Sequence, residues 1–184
     1  MLTDAAGAVL CEGRNEAYEE GPGAGPLRGT PLAHAEMNVL GAARRGWDLG
    51  SAALWSTQEP CAMCAAAARF TGVGQVRYLA PDPWALATGS AGASGVAETA
   101  PVADAAWLLV ANVMFLRSVA VAAPGPAEPE ILTHHRTVER ETVALHDSIP
   151  PGLPTAGSLE EWLAGMWPCV RAMAAARGRR RAGV

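Results

Sequence analysis

Short apolar runs alternate with helix starts through the first eighty residues, and that alternation restricts the chain to a layered α/β arrangement. Ala8–Glu12 reads as a strand ending at Gly13, and Asn15–Gly29, polar and rich in Gly and Pro, as a loop. Thr30-Pro31 sets up a helix start, with Thr30 as N-cap and Pro31 in the first turn, followed by apolar Leu32, Met37, Val39 and Leu40. Ala52–Ser56 is a second strand. Pro60 opens a second helix that runs through the alanines to Phe70 and stops at Gly72, and Gln75–Ala80 alternates as a third strand. Beyond the turn at Pro81-Asp82-Pro83, residues 89–100 read as a loop. Val102–Ser118 reads as a helix, with a strand over Val113–Val121 as the alternative. A linker follows at Ala123–Pro129, then helices over Glu130–Ser148 and Ser158–Arg177. The expected division is a domain over 1–123 and a linker with a C-terminal helical extension over 124–184.

Half of the 184 residues are hydrophobic, enough to bury a core without disulfides, and a net charge of −4 gives no global attraction to nucleic acid or an anionic membrane. All 14 basic residues are Arg. The absence of Lys excludes Schiff-base chemistry, pyridoxal-phosphate enzymes and the phosphate-binding Lys of a P-loop. Met1-Leu2-Thr3-Asp4 has no basic n-region, and the longest strongly apolar stretch, Ala105–Leu116, is about half a membrane span and contains Asn112. A cytoplasmic setting with no membrane partner is expected. Cys11 and Cys169 stand alone and read as small buried hydrophobes. Cys61 and Cys64 form a C-x-x-C pair, which in a reducing compartment is more often a metal or redox site than a staple.

Two segments carry the chemistry: His34-Ala35-Glu36 at one helix start and Pro60-Cys61-Ala62-Met63-Cys64 at the next. If the two helices lie side by side, their N-termini bring together one imidazole and two thiolates. Three protein ligands with a fourth position open is the arrangement of a catalytic zinc site, whereas a structural site is closed by a fourth. The positive helix ends also favour thiolate over thiol. Glu36, two positions from His34, is placed to face a water whose pKa zinc lowers to roughly 7, and to take its proton.

H-x-E followed by P-C-x-x-C is the signature of zinc-dependent base deaminases. On His34-Ala35-Glu36 and Thr57-Gln58-Glu59-Pro60-Cys61-Ala62-Met63-Cys64, with Arg69 and Val76-Arg77-Tyr78 in the helix end and strand that follow, the chain resembles the cytidine deaminase superfamily. It resembles the His-Cys-Cys branch, which contains tRNA adenosine, guanine, deoxycytidylate and nucleoside deaminases. The resemblance covers roughly Leu2 to Ala91. It implies a three-layer α/β/α cytidine deaminase-like fold, one zinc ion and hydrolytic release of ammonia. His34, Cys61 and Cys64 would be the zinc ligands and Glu36 the proton shuttle. Asn15 would hydrogen-bond the base, and the backbone N–H of Ala35 would face the substrate. Against the family pattern the chain reads as N-terminally short: relatives have a helix and a complete strand before the region aligned with Ala8–Asn15, and here only Leu2-Thr3-Asp4 could be the end of that strand.

Several side chains have both a functional and a plain reading. Trp84 can stack on a base, though half-buried packing is the commoner use. His134 and His135 read as a solvated helix face, and Arg177, Arg179, Arg180 and Arg181 as a solvated, frayed basic tail. Leu159, Trp162, Leu163, Met166 and Trp167 form an apolar stripe for core or subunit packing; with the family resemblance it favours a homodimer. Glu16, Glu19 and Glu20 follow Asn15 in the loop expected at the pocket mouth, and would repel a polyanionic RNA. The expected substrate is therefore a free purine or pyrimidine base or nucleoside, with nucleic acid, as for a tRNA adenosine deaminase, less favoured. A catalytically silent partner subunit is the rival; such subunits typically lose the shuttle glutamate, and Glu36 is present.

Overall fold

The computed structural model describes residues 1–21, 25–84, 98–99, 104–123, 125–149 and 159–183. They form two compact units.

The first unit is built on a five-stranded sheet in the order β2-β1-β3-β4-β5, where β1 is Leu2–Thr3, β2 Val9–Cys11, β3 Ala53–Gln58, β4 Gln75–Ala80 and β5 Glu98–Thr99. β1 runs antiparallel to both β2 and β3, whereas β3, β4 and β5 are parallel. Parallel neighbours need a crossover, and helix α2, Ala62–Thr71, supplies it between β3 and β4. Helix α1, Ala35–Ala42, precedes β3. Register aligns Leu2, Leu54 and Val76 across three strands, and Val39 and Leu40 of α1 and Ala68 of α2 cover that row. Both helices therefore lie on one face, with their N-termini at the same sheet edge. The α/β class and the deaminase-like arrangement expected from the sequence hold. Although β1 has only two residues, it sits inside the sheet with Leu2 fully buried, and Met1 and Trp55 exchange backbone bonds of 2.8 and 3.0 Å beyond it.

α1 begins at Ala35 rather than at Thr30. Residues 25–33 fold into turns, in which the Thr30 hydroxyl donates to the Leu27 carbonyl at 2.6 Å and accepts the Leu32 N–H at 3.3 Å. These local bonds compete with a helix, and His34, in extended conformation, becomes the N-cap. α2 stops at Gly72, whose φ of 75° lets its N–H cap the last turn. β5 corrects the loop reading of 89–100 at Glu98–Thr99: two residues leave no apolar run to detect. The rest of that segment lies outside the described residues.

The second unit contains helices α3, Ala106–Ala122, α4, Glu130–Val138, α5, Arg140–Ser148, and α6, Leu159–Ala182. α3 lies inside the 1–123 stretch of the expected division, yet groups with the later helices. Of the two readings of its sequence the helix holds, since Leu109, Val113 and Leu116 recur at helical spacing on its buried face. The single helix expected over Glu130–Ser148 is two, broken at Glu139 (φ −132°, ψ 50°). α6 continues past Arg177 to Ala182, with Pro168 inside it. The apolar stripe turns inward: Trp162, Met166 and Trp167 pack on Leu109, Val113, Leu145 and Ile149, and Trp107 meets Trp167 at 4.9 Å between ring centroids.

Two surface readings are corrected. His135 is 1% exposed instead of solvated, and burial, which disfavours the imidazolium, lowers its pKa. The arginine tail is bound back: Arg177 grips Glu139, and Arg180 grips Glu141 at 2.8 Å. Cys11 and Cys169 are partly buried against the cores of the first and second unit, respectively.

Candidate active site

The sheet edge at the end of β3 carries the predicted ligands. His34 caps α1, Cys61 caps α2, and Cys64 lies in the first turn of α2, fully buried. The Cys61 and Cys64 sulfurs are 3.7 Å apart, and His34 Nδ1 is 3.7 Å from the first and 3.6 Å from the second. Zinc at about 2.3 Å from sulfur and about 2.05 Å from nitrogen, with tetrahedral angles, sets sulfur–sulfur at about 3.8 Å and sulfur–nitrogen at about 3.6 Å. The three donors thus already form the base of a zinc tetrahedron, and their softness suits zinc. Among the described residues they are the only such cluster, and all four cysteines are free thiols.

The electrostatics agree. The Cys61 thiol is pushed down to about 3, first by its hydrogen bond with Cys64 and next by that with His34. Cys64, bonded to the Cys61 sulfur and buried beside the Glu36 carboxylate, is pushed up. The Cys61 sulfur in turn raises the pKa of His34. Zinc binds thiolates, so metal binding at this pair releases protons. His34→Ala, Cys61→Ala or Cys64→Ala is each expected to remove bound zinc, read as metal per chain by atomic spectroscopy, while Cys169→Ala keeps it.

Glu36 lies in the first turn of α1 at 9% exposure. Its Oε1 accepts the Ser56 hydroxyl at 2.6 Å, and its Oε2 lies 3.5 Å from Cys64 Sγ. Ser56 was missed in the sequence. A readable signal existed: alternation along β3 puts it on the same inward face as Leu54, where a hydroxyl needs a partner. Ala35 begins α1, so its N–H is one of those a helix leaves without an intrahelical partner.

Asn15 is exposed, and its Oδ1 accepts the Ala17 N–H at 2.9 Å. Its loop is held to α1 by Asn38, whose Nδ2 donates to the Arg14 carbonyl at 2.9 Å, and by Gly13, where a Cβ would stand 2.9 Å from Val39 Cγ2. A cavity of about 860 Å³ opens on Glu36, Ala35, Ser56, Thr57, Trp55 and Met1; Asn15 and the three metal ligands are not among its lining residues.

The acidic mouth does not stand as read. Arg28 lies 3.5 Å from Glu16 and also pairs with Glu19, and Arg14 pairs with both acids. Two guanidiniums thus pair with two of the three carboxylates, so most of the repulsion expected of that loop is cancelled locally.

A layered α/β unit whose helix N-termini present one imidazole and two thiols beside a buried carboxylate offers three protein ligands to a zinc ion. Residues 1–80 match the family model described as the cytidine and deoxycytidylate deaminase zinc-binding region, and this match together with the His34, Cys61 and Cys64 cluster supports the cytidine deaminase superfamily for this part of the chain. Neither the curated proteins nor the solved structures gave a match. The family and the donor set together support a zinc-dependent deaminase.

Proposed function

We propose that the protein deaminates a free purine or pyrimidine base or nucleoside by hydrolysis: water adds at the amidine carbon, and the exocyclic nitrogen leaves as ammonia. The observation that carries this reading is the zinc-sized donor triangle with the Glu36 carboxylate against it. Zinc held by His34, Cys61 and Cys64 supplies the Lewis acidity that makes water nucleophilic near neutral pH. Glu36 takes a proton at its carboxylate and returns one to the leaving nitrogen. The Ala35 N–H, at the first position of α1, supports a bond to the substrate. Asn15, with its Oδ1 engaged, has Nδ2 left to donate, which suits a carbonyl on the base.

A small substrate is favoured over RNA, now on different ground. Arg177, Arg180 and Arg181 are tied to Glu139 and Glu141, so those three do not form a free phosphate-binding stripe. The inward-facing Trp stripe leaves the homodimer expectation resting on family likeness, and gel filtration with light scattering tests it. No helix among the described residues is long and apolar enough to cross a membrane.

The test is ammonia release from guanine, cytosine, adenosine and cytidine by zinc-loaded protein, alongside binding of labelled tRNA at moderate salt. Release from at least one base or nucleoside with weak tRNA binding is expected. Release from none by zinc-replete protein removes the reading, and tight tRNA binding with turnover on tRNA alone replaces it.

A further inference from the structure

Ser56 lies on β3, and its side chain points beneath α1. There it donates to Glu36 Oε1 at 2.6 Å, the length of a charge-assisted hydroxyl–carboxylate bond. Its own oxygen accepts the Gln58 N–H at 3.4 Å, which leaves the hydroxyl proton aimed at Glu36. The other carboxylate oxygen stands 3.5 Å from Cys64 Sγ.

That last distance creates a problem for an open metal site. A carboxylate oxygen bonded to zinc at about 2.0 Å stands about 3.5 Å from a sulfur ligand of the same ion. Measured from Cys64, Glu36 is therefore already at ligand range. It nevertheless stays outside the group whose donor atoms all lie within 4.8 Å of one another. Carboxylates bind zinc well, and a fourth protein ligand turns an open site into a closed one. A side chain with three rotatable bonds, on the same helix as His34, needs a restraint to stop short of the ion.

We propose that Ser56 is that restraint: a positioning residue whose hydrogen bond holds the Glu36 carboxylate beside the metal without coordinating it. The fourth position then stays open, and the carboxylate stays free to move protons. The proton-moving half of this assignment rests on the deaminase reading; the open-position half rests on the donor geometry alone.

Cobalt(II) in place of zinc in the full chain separates the two halves, because its d–d bands report coordination and thiocyanate probes an open position. The wild-type bands are expected to shift on adding thiocyanate. Ser56→Ala is expected to show altered bands before addition and little response, because the released Glu36 has moved onto the metal. Ser56→Thr, which keeps the hydroxyl, responds like wild type, and the double variant Ser56→Ala/Glu36→Gln regains the response. On a base the wild type deaminates, Ser56→Ala lowers kcat by about 10- to 100-fold with KM little changed, the size expected for an orienting partner. A Ser56→Ala chain that answers thiocyanate as the wild type does overturns the proposal. A wild type that gives no response, or a Ser56→Ala chain that no longer binds cobalt, does so equally. If no base is turned over while the cobalt results come out as expected, the deaminase reading falls and the restraint stands.

Discussion

Replacing Glu36 by Gln is expected to cut turnover by about 10²- to 10⁴-fold, the usual contribution of a placed acid–base group, and to leave the zinc in place. Both halves follow from geometry. Glu36 lies outside the donor set of His34, Cys61 and Cys64, so its charge is not needed to hold the ion. The Gln amide oxygen can still accept the Ser56 hydroxyl where Oε1 does, so the side chain keeps its place at the sheet edge. What it loses is basicity: an amide neither takes a proton from water nor returns one to a leaving amine. Parallel measurement of ammonia release and metal content distinguishes the outcomes. Unchanged turnover would place the proton transfer elsewhere, whereas loss of zinc along with turnover would make Glu36 a ligand and the site a closed one.

The parts of this molecule legible in its sequence are those fixed by neighbours along the chain. Gln75–Ala80 could be bounded because alternation and a flanking Gly are local, and α2 ended at Gly72 for the same reason. The metal ligands were legible because a C-x-x-C at one helix start and a His at another leave few ways to satisfy sulfur and imidazole together. What escaped was pairing over distance. Counting Glu16, Glu19 and Glu20 as a bare acidic loop overlooked Arg14 one residue before Asn15 and Arg28, which the turns fold back onto Glu16 and Glu19. Thr30 looked like a cap because its residue type is right; only the turn bonds to Leu27 and Leu32 show that it is used earlier. The break at Glu139 carries no Gly or Pro, so no backbone rule marks it.

That break underlies the second large effect: Arg177→Ala is expected to destabilise the helical unit by about 1.5–3 kcal/mol, the loss of charge-assisted bonds to a buried carboxylate that keeps a second partner. The Glu139 side chain is 2% exposed and that of Arg177 12%, with bidentate bonds of 2.5 and 2.8 Å between them. Burial by itself raises the Glu139 pKa, but bonding and attraction from Arg177 and Arg181 outweigh it, so the carboxylate sits below its ordinary value. Without Arg177 the acid keeps Arg181, whose side chain is 49% exposed, as a weaker partner. Arg181→Ala should accordingly cost less, and Arg179→Ala, at an exposed position, close to nothing. The same pairs set the acid limit. Arg180, followed by smaller contributions, holds Glu141 at about 2 against an ordinary 4.5. Because the folded-state value is the lower one, this stabilisation is present in full above about pH 4.5 and is lost as pH falls towards about 2. Acid titration followed by hydrogen exchange in α5 and α6 should therefore show the helical unit of the wild type opening across that window. In Arg177→Ala the opening should start from a lower stability and occur at higher pH. Equal acid profiles for the two chains would mean that the arginines merely decorate the surface and that the bend at Glu139 is held by apolar packing alone.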